Sequence, residues 1–370
     1  MRALVVRTSA LGDVVLTTPF LRSLSGHLGA PVEVLTSAPY APLFEGLPFV
    51  SRVWSLPKES GLREFLRSLR EGGPFDVAVD LQNKARTLAV LLRVQARRRF
   101  RLVKRKGVSG ALGSLFGGGP ILDGKPAAAV YFEAAGALGL AATDLRPEVA
   151  LRPEAVARAE GLASRAGGAP IVGLAPGARW ALKRWSPERF AAVGAALQEE
   201  GAEILLVGGP GDRAELDRLR EGLARPALAD TASLDVADLA AALARLSLLV
   251  SVDSGPAHLA QAVGTPVLSI FGPTSYRRWG PAPGQGGVVA LPLACSPCTN
   301  YGKGHCAHGD RACLEALPPE VVIEAAREVL RAGREAGGAA AERAGRATVL
   351  DLAQRVATME RPFGRTRKGA

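Results

Sequence analysis

The chain has 370 residues, with 46 Lys and Arg against 35 Asp and Glu, a formal charge of +11 at pH 7. Hydrophobic residues make up 48% and charged residues 22%, which excludes a disordered tail protein, a collagen and a disulfide-dense mini-protein. All four cysteines lie between Cys295 and Cys313, so no disulfide can staple the rest of the chain, and the length predicts two domains.

Ala3 to Arg7 reads as a strand, followed by a turn at Ser9 and Gly12. A helix is expected from about Asp13, with Val14, Leu16, Phe20, Leu21 and Leu24 as its apolar face. Residues 31–36 and 75–81 read as further strands, the second followed by an apolar helix over 85–94. A boundary falls across 140–168, where Pro147 and Pro153 precede an Ala/Arg helix ending at Gly167-Gly168. The second unit repeats this grammar. Strands are expected over 170–175, 203–207, 248–252 and 266–270. Ser186 and Pro187 open a helix as N-cap and first helical residue. Strands alternating with helices predict two doubly wound, Rossmann-like α/β domains facing across a cleft. Their expected limits are 1–150 and 169–333, with a linker region over 151–168 and a helical tail over 334–370. Every apolar run falls short of the roughly 20 residues a spanning helix needs. Arg7 and Asp13 interrupt the first run, unlike a signal peptide. The expectation is a cytoplasmic protein.

Five segments at expected strand ends or in loops carry chemistry. In Ser251-Val-Asp-Ser-Gly-Pro-Ala-His258 a buried strand ends just before a helix starts. Asp253, Ser254 and Gly255 then stand at a helix N-terminus, where free amides and the helix dipole favour an anion. His258, four residues after Ser254, falls on the same helix face. The plain alternative is a capped helix with a packed core histidine. Lys183 and Arg184 precede the helix opened by Ser186, where cations oppose the dipole unless an anion joins them. Asp13 follows the first strand and reads either as a first-turn carboxylate or as a general base. Arg93, Arg97, Arg98, Arg99, Arg101, Lys104, Arg105 and Lys106 form a basic run suited to an anionic substrate, lipid headgroups or nucleic acid. Phe100 alone interleaves it, which gives base stacking no support. Cys295, Cys298, Cys306 and Cys313 begin with zinc-knuckle spacing and continue with spacings that match no standard zinc pattern. A structural zinc and free or redox-paired thiols both remain open.

Residues 2–14, Lys183-Arg-Trp-Ser-Pro187, Val252-Asp-Ser-Gly-Pro-Ala-His258 and Ile270-Phe-Gly-Pro-Thr274 resemble, in order, glycosyltransferase family 9. This is the family of the ADP-heptose:lipopolysaccharide heptosyltransferases. The resemblance runs to about residue 330 and implies a GT-B fold, with the donor in the C-terminal domain and the acceptor in the N-terminal one. It implies inverting chemistry with no metal. Asp13 matches the family's proposed base, Lys183 the lysine on the donor phosphates, and Asp253, Ser254 and Gly255 the donor-binding turn. For the acidic residue that holds the ribose, Asp212 and Glu215 both stand near the expected place. Arg97, Arg98, Arg101 and Lys104 resemble the acceptor side by composition alone. The expected activity is transfer of a heptose-like sugar from a nucleotide diphosphate to a lipopolysaccharide-core or other anionic glycan, with peripheral contact at the inner face of a membrane compatible with it. A GT-B epimerase, a transferase with another donor and a basic nucleic-acid-binding protein are the alternatives. The last lacks any helix-turn-helix or RNP pattern.

Overall fold

The computed structural model describes residues 1–57, 61–102 and 124–335. The N-terminal domain runs β1 (Ala3–Val6), α1 (Leu11–Val15), α2 (Thr18–Leu28), β2 (Val32–Thr36), β3 (Val50–Ser55), α3 (Leu62–Glu71), β4 (Phe75–Asp80), α4 (Ala85–Arg93), β5 (Ala96–Arg101) and α5 (Ala127–Glu133). Its strands lie in the order β3-β2-β1-β4-β5, all parallel. Successive side chains of a strand face opposite ways, and β1 shows the result. Ala3 and Val5 join one core with Phe20, Leu24, Val77, Val79 and Phe132, whereas Leu4 and Val6 join another with Leu66, Leu69, Val90 and Leu91. Helices α2 and α5 therefore cover one face of the sheet, and α3 and α4 the other.

The helix expected from Asp13 is two helices. Pro19 has no N–H for the Val15 carbonyl. The Thr18 hydroxyl donates to that carbonyl instead at 2.9 Å, and the Thr17 hydroxyl donates to the Val14 carbonyl at 2.6 Å. The basic run also takes an unexpected form. Arg93 ends α4, whereas Arg97, Arg98, Arg99 and Arg101 lie on the edge strand β5, and charged side chains on an edge discourage pairing with another chain. Lys104, Arg105 and Lys106 lie outside the described residues.

The C-terminal domain runs α6 (Pro153–Ala166), β6 (Ile171–Ala175), α7 (Pro187–Glu199), β7 (Glu203–Leu206), α8 (Arg213–Glu221), β8 (Ala229–Asp230), α9 (Val236–Leu243), β9 (Leu248–Val252), α10 (Gly255–Ala262), β10 (Val267–Phe271), α11 (Tyr276–Trp279), β11 (Gly286–Ala290), α12 (Ala312–Glu315) and α13 (Pro319–Glu335). The parallel strand order is β11-β10-β9-β6-β7-β8. Two cores again flank the sheet, one with Val172, Leu174, Val250 and Val252 beneath α7 and α13, the other with Ile171, Leu205 and Leu249 beneath α9 and α10. The 151–168 stretch contains α6, whose Ala155 and Ala159 pack on Ala237 and Ala241 of α9. Of the expected tail, 336–370 lies outside the described residues.

The arrangement is GT-B, two facing Rossmann-like domains. Their seam is apolar: Val15 and Leu43 of the first domain belong to the same core as Ala257, Leu259 and Ala260 of α10. A Cβ on Gly255 would stand 3.2 Å from Leu11, and one on Gly12 only 2.5 Å from the His258 ring. Helices α1 and α10, each following the C-terminal end of a central strand, thus meet across the cleft. Among the described residues, no helix is long and apolar enough to cross a membrane.

Candidate active site

The N-terminal half of the site grows from the end of β1. The Gln82 side chain, just beyond β4, accepts from the amides of Thr8 and Ser9, each at 3.1 Å. This fixes the loop that delivers Asp13 into the first turn of α1, where the helix dipole favours a carboxylate. One oxygen of Asp13, Oδ1, receives two partners. Arg7 Nη2 lies at 2.7 Å and the Tyr131 hydroxyl donates at 2.8 Å. Arg7 is itself buried and donates from Nη1 to the Leu81 carbonyl at 2.5 Å. Burial opposes the Arg7 charge, but Tyr131 and Asp13 outweigh it and hold its pKa above the usual value. Burial, reinforced by Asp13, keeps Tyr131 protonated well beyond the ordinary phenol range. The Asp13 side chain remains 27% exposed, on the helix that packs against α10 at the seam.

The C-terminal half sits where β9 gives way to α10. The side chain of Ser254, the N-cap residue, does not cap the helix; its hydroxyl lies 2.9 Å from that of Ser251. The first-turn amides of α10 are therefore not capped by that hydroxyl, and Pro256 presents none. Asp253 is buried. Its Oδ2 accepts from the Thr274 hydroxyl at 2.7 Å and lies 3.2 Å from Lys183 Nζ. The ammonium thus stands beside the turn at Asp253–Gly255. It is carried by a short 3-10 turn, Ala181–Lys183, and Arg311 Nη1 pins this turn through the Ala181 carbonyl at 3.0 Å. A Cβ on Gly302 would overlap Lys183 Cγ at 2.4 Å, so the cysteine-bearing loop packs directly on the lysine stem.

His258 is buried between the halves, with Nδ1 lacking a partner among the described residues. Burial lowers its pKa, Asp253 and Asp13 oppose that effect, and Lys183 adds to it. Arg184 Nε donates to the Ala178 carbonyl at 2.9 Å while its Nη1 pairs with Glu215. It braces the loop, and Glu215 is thereby occupied. Asp212 Oδ2 accepts from the Gly209 amide at 2.9 Å, and a Cβ on Gly177 would meet its carboxyl carbon at 2.4 Å. Of the two acidic candidates, Asp212 is the one without a cationic partner among the described residues.

On β5, Arg97 pairs with Asp76 at 3.3 Å and the Arg98 guanidinium lies 5.1 Å from the Phe100 ring centroid. Arg101 is exposed at the strand's end. It is in register with Asp80, itself in register with Val6, so the arginine strand ends on the rim that carries Asp13.

The four cysteines are free thiols. Among the described residues no three His, Cys, Asp or Glu side chains assemble as a metal-binding group. Burial pushes Cys313 up to about 11, with the three other cysteines adding to the shift. Backbone amides of Arg311, His308 and Gly309 lower Cys306.

Sequence reasoning passed over Arg7, Tyr131, Thr274 and Gly302. Arg7 and Thr274 stand inside the recognised motifs, where their polar atoms were the available signal. Tyr131 lies 118 residues from its partner Asp13 and carries no local signal.

The model of glycosyltransferase family 9 (heptosyltransferase) matches residues 62–306. Lipopolysaccharide heptosyltransferase 3 of Escherichia coli is 36% identical over 113 residues, 30% of this chain and 33% of that protein. The matched stretch thus spans about a third of that relative's length. Lipopolysaccharide heptosyltransferase 2 of Escherichia coli K12 is 26% identical over 347 residues, 88% of this chain and 97% of that protein. A solved family 9 glycosyltransferase from Veillonella parvula superposes with a TM-score of 0.76 at 23% identity, covering 89% of this chain and 97% of its own. Two facing parallel-sheet domains, the ordered motifs and a family match spanning more than half of the residues lead to one conclusion: the chain belongs to glycosyltransferase family 9, the heptosyltransferase family.

Proposed function

We propose that this protein is an inverting glycosyltransferase that moves a heptose from ADP-heptose to an anionic, lipopolysaccharide-core glycan without a metal ion. The observation that carries the reading is the pairing across the seam. A partly exposed carboxylate, Asp13, comes from one domain, and a helix N-terminus with Lys183 beside it comes from the other. Breaking the bond between the anomeric carbon and the leaving phosphate builds negative charge on the diphosphate. The α10 amides and Lys183 are already in place to stabilise it, so little reorganisation is needed during the reaction. The acceptor hydroxyl loses its proton to Asp13 as it attacks from the opposite face of the sugar, which inverts the anomeric centre. Asp212 holds the ribose. Contact across the seam excludes water and limits hydrolysis of the donor.

Arg97, Arg98 and Arg101 supply the acceptor side, because β5 ends on the Asp13 rim. The same strand suits peripheral contact with an anionic membrane that presents a lipid-linked acceptor. Replacing Asp13 with Asn tests the assignment. With ADP-heptose and heptose-free lipopolysaccharide core as substrates, turnover is expected to fall by about 10²–10⁴-fold. ADP affinity by calorimetry should stay within about twofold, because Asp13 belongs to the other domain. Near-normal turnover would remove Asp13 as the base.

A further inference from the structure

We infer that Arg7 and Tyr131 are positioning residues for Asp13, holding its Oδ1 so that Oδ2 is the oxygen that takes the acceptor proton. The inference rests on the proposed role of Asp13 as base. Both contacts converge on one atom. Arg7 Nη2 lies 2.7 Å and the Tyr131 hydroxyl 2.8 Å from Oδ1, whereas Oδ2 has no partner among the described residues. A carboxylate held by one oxygen through two donors from different elements cannot rotate to exchange its oxygens without breaking both hydrogen bonds.

The holders are themselves fixed. Arg7 donates to the Leu81 carbonyl at 2.5 Å, and its guanidinium carbon lies 5.3 Å from the Tyr131 ring centroid. Tyr131 is buried on α5. The phenol stays protonated through the working range, so it can only donate to Asp13. The other titratable or charged groups about this carboxylate are His258 of α10, buried and held towards its neutral form, and Tyr301 across the cleft, which acts electrostatically on both Arg7 and Tyr131.

In the reaction, the acceptor O–H bond breaks and its proton goes to Oδ2. The oxygen's electron pair forms the new bond to the anomeric carbon, and the pair of the breaking carbon–oxygen bond leaves on the diphosphate. Arg7 and Tyr131 exchange no proton. They set the direction of Oδ2.

The test is a kinetic profile, turnover against KM for ADP-heptose, with ADP-heptose and heptose-free lipopolysaccharide core, for the native chain, Tyr131→Phe, Arg7→Lys and Asp13→Asn. Tyr131→Phe removes one donor and keeps the ring. Turnover is expected to fall about ten- to a hundredfold with KM for ADP-heptose little changed. ADP affinity by calorimetry should stay within about twofold, so the loss lies in turnover and not in donor binding. Arg7→Lys keeps the charge with fewer donors, and should lower turnover by less, again with KM little changed. Thermal melts identify any variant that fails to fold, in which case the other variant decides. A folded Tyr131→Phe or Arg7→Lys variant with native turnover, or one whose loss lies in KM for ADP-heptose, overturns the positioning role. If Asp13→Asn keeps its turnover, the base assignment itself fails. If Asp13→Asn is inactive while both other variants match the native profile, this inference alone fails.

Discussion

The two halves of the site hold their charges in opposite ways. In the N-terminal domain a cation and a phenol hold an acid, and the acid's second oxygen is left without a partner among the described residues. In the C-terminal domain an acid holds a cation: Asp253, steadied by Thr274, holds Lys183 beside the start of α10. The difference fits the role proposed for each half. A base must keep an accepting lone pair, so its partners gather on the other oxygen. A phosphate ligand must keep donors, and an ammonium with three N–H groups can give one to Asp253 and retain two. Preorganisation in both halves is local, built from residues of one domain, so closure of the seam aligns two groups that are already set.

The comparison breaks most visibly at Lys183. Lys183→Ala should weaken ADP binding by about 10- to 100-fold, the worth of a charge-assisted hydrogen bond in a sheltered site. Adenosine affinity, measured by the same calorimetry, should stay within about twofold. Equal weakening of both ligands would mean that Lys183 supports the domain and not the diphosphate. A smaller effect of the same kind is expected from Gly302→Ala. Gly302 has φ +77°, a conformation that an alanine adopts at a cost, and the added Cβ would overlap the Lys183 stem at 2.4 Å. ADP affinity should fall by less than in Lys183→Ala, with adenosine again spared. Native affinity for ADP would show that the cysteine-bearing loop does not support the lysine.

Much of this arrangement was readable in the sequence, and the exceptions have physical causes. The strands at 171–175 and 248–252 are continuous apolar runs because both their faces are buried. Ser186 caps α7 as expected, accepting from the Arg189 amide at 3.3 Å. Lys183, Asp253 and Asp13 were legible because each follows a strand and stands at a turn, where main-chain chemistry marks the place. The strand β5 was not legible. Its sequence, Ala-Arg-Arg-Arg-Phe-Arg, has no alternation: Arg97, Arg98, Arg99 and Arg101 are all exposed, and two nitrogens of the Arg99 guanidinium, Nε and Nη2, reach the Leu91 and Val94 carbonyls. Pairing with β4 makes the strand. The partnership of Asp13 with Tyr131 is illegible for another reason: only the packing of α2 against α5, through Phe20 on Phe132 with ring centroids 5.5 Å apart, brings the two chain segments together.

The smallest effect concerns the seam between the two halves. His258 lies in α10 with its ring against Gly12, and Asp253, Lys183 and Asp13 act on it. Burial depresses its pKa below the ordinary 6.5, so the folded chain prefers the neutral ring. The unfolded chain binds the proton more readily. Stability from this group is therefore complete above the unfolded value and is lost as pH falls through it towards the folded value. The Tm of the native chain should decline between about pH 7.5 and pH 5.5 by an amount on the order of a few degrees. His258→Gln, which cannot titrate there, should remove that part of the decline. Because the ring is buried at the seam, against Gly12, protonation favours states in which α10 parts from α1 and water reaches the imidazolium. Acid should then weaken closure before it disturbs either half, and the N-terminal and C-terminal charge arrangements would lose alignment while each stayed intact. An identical Tm decline in both chains would place the acid sensitivity elsewhere and leave the seam insensitive to His258.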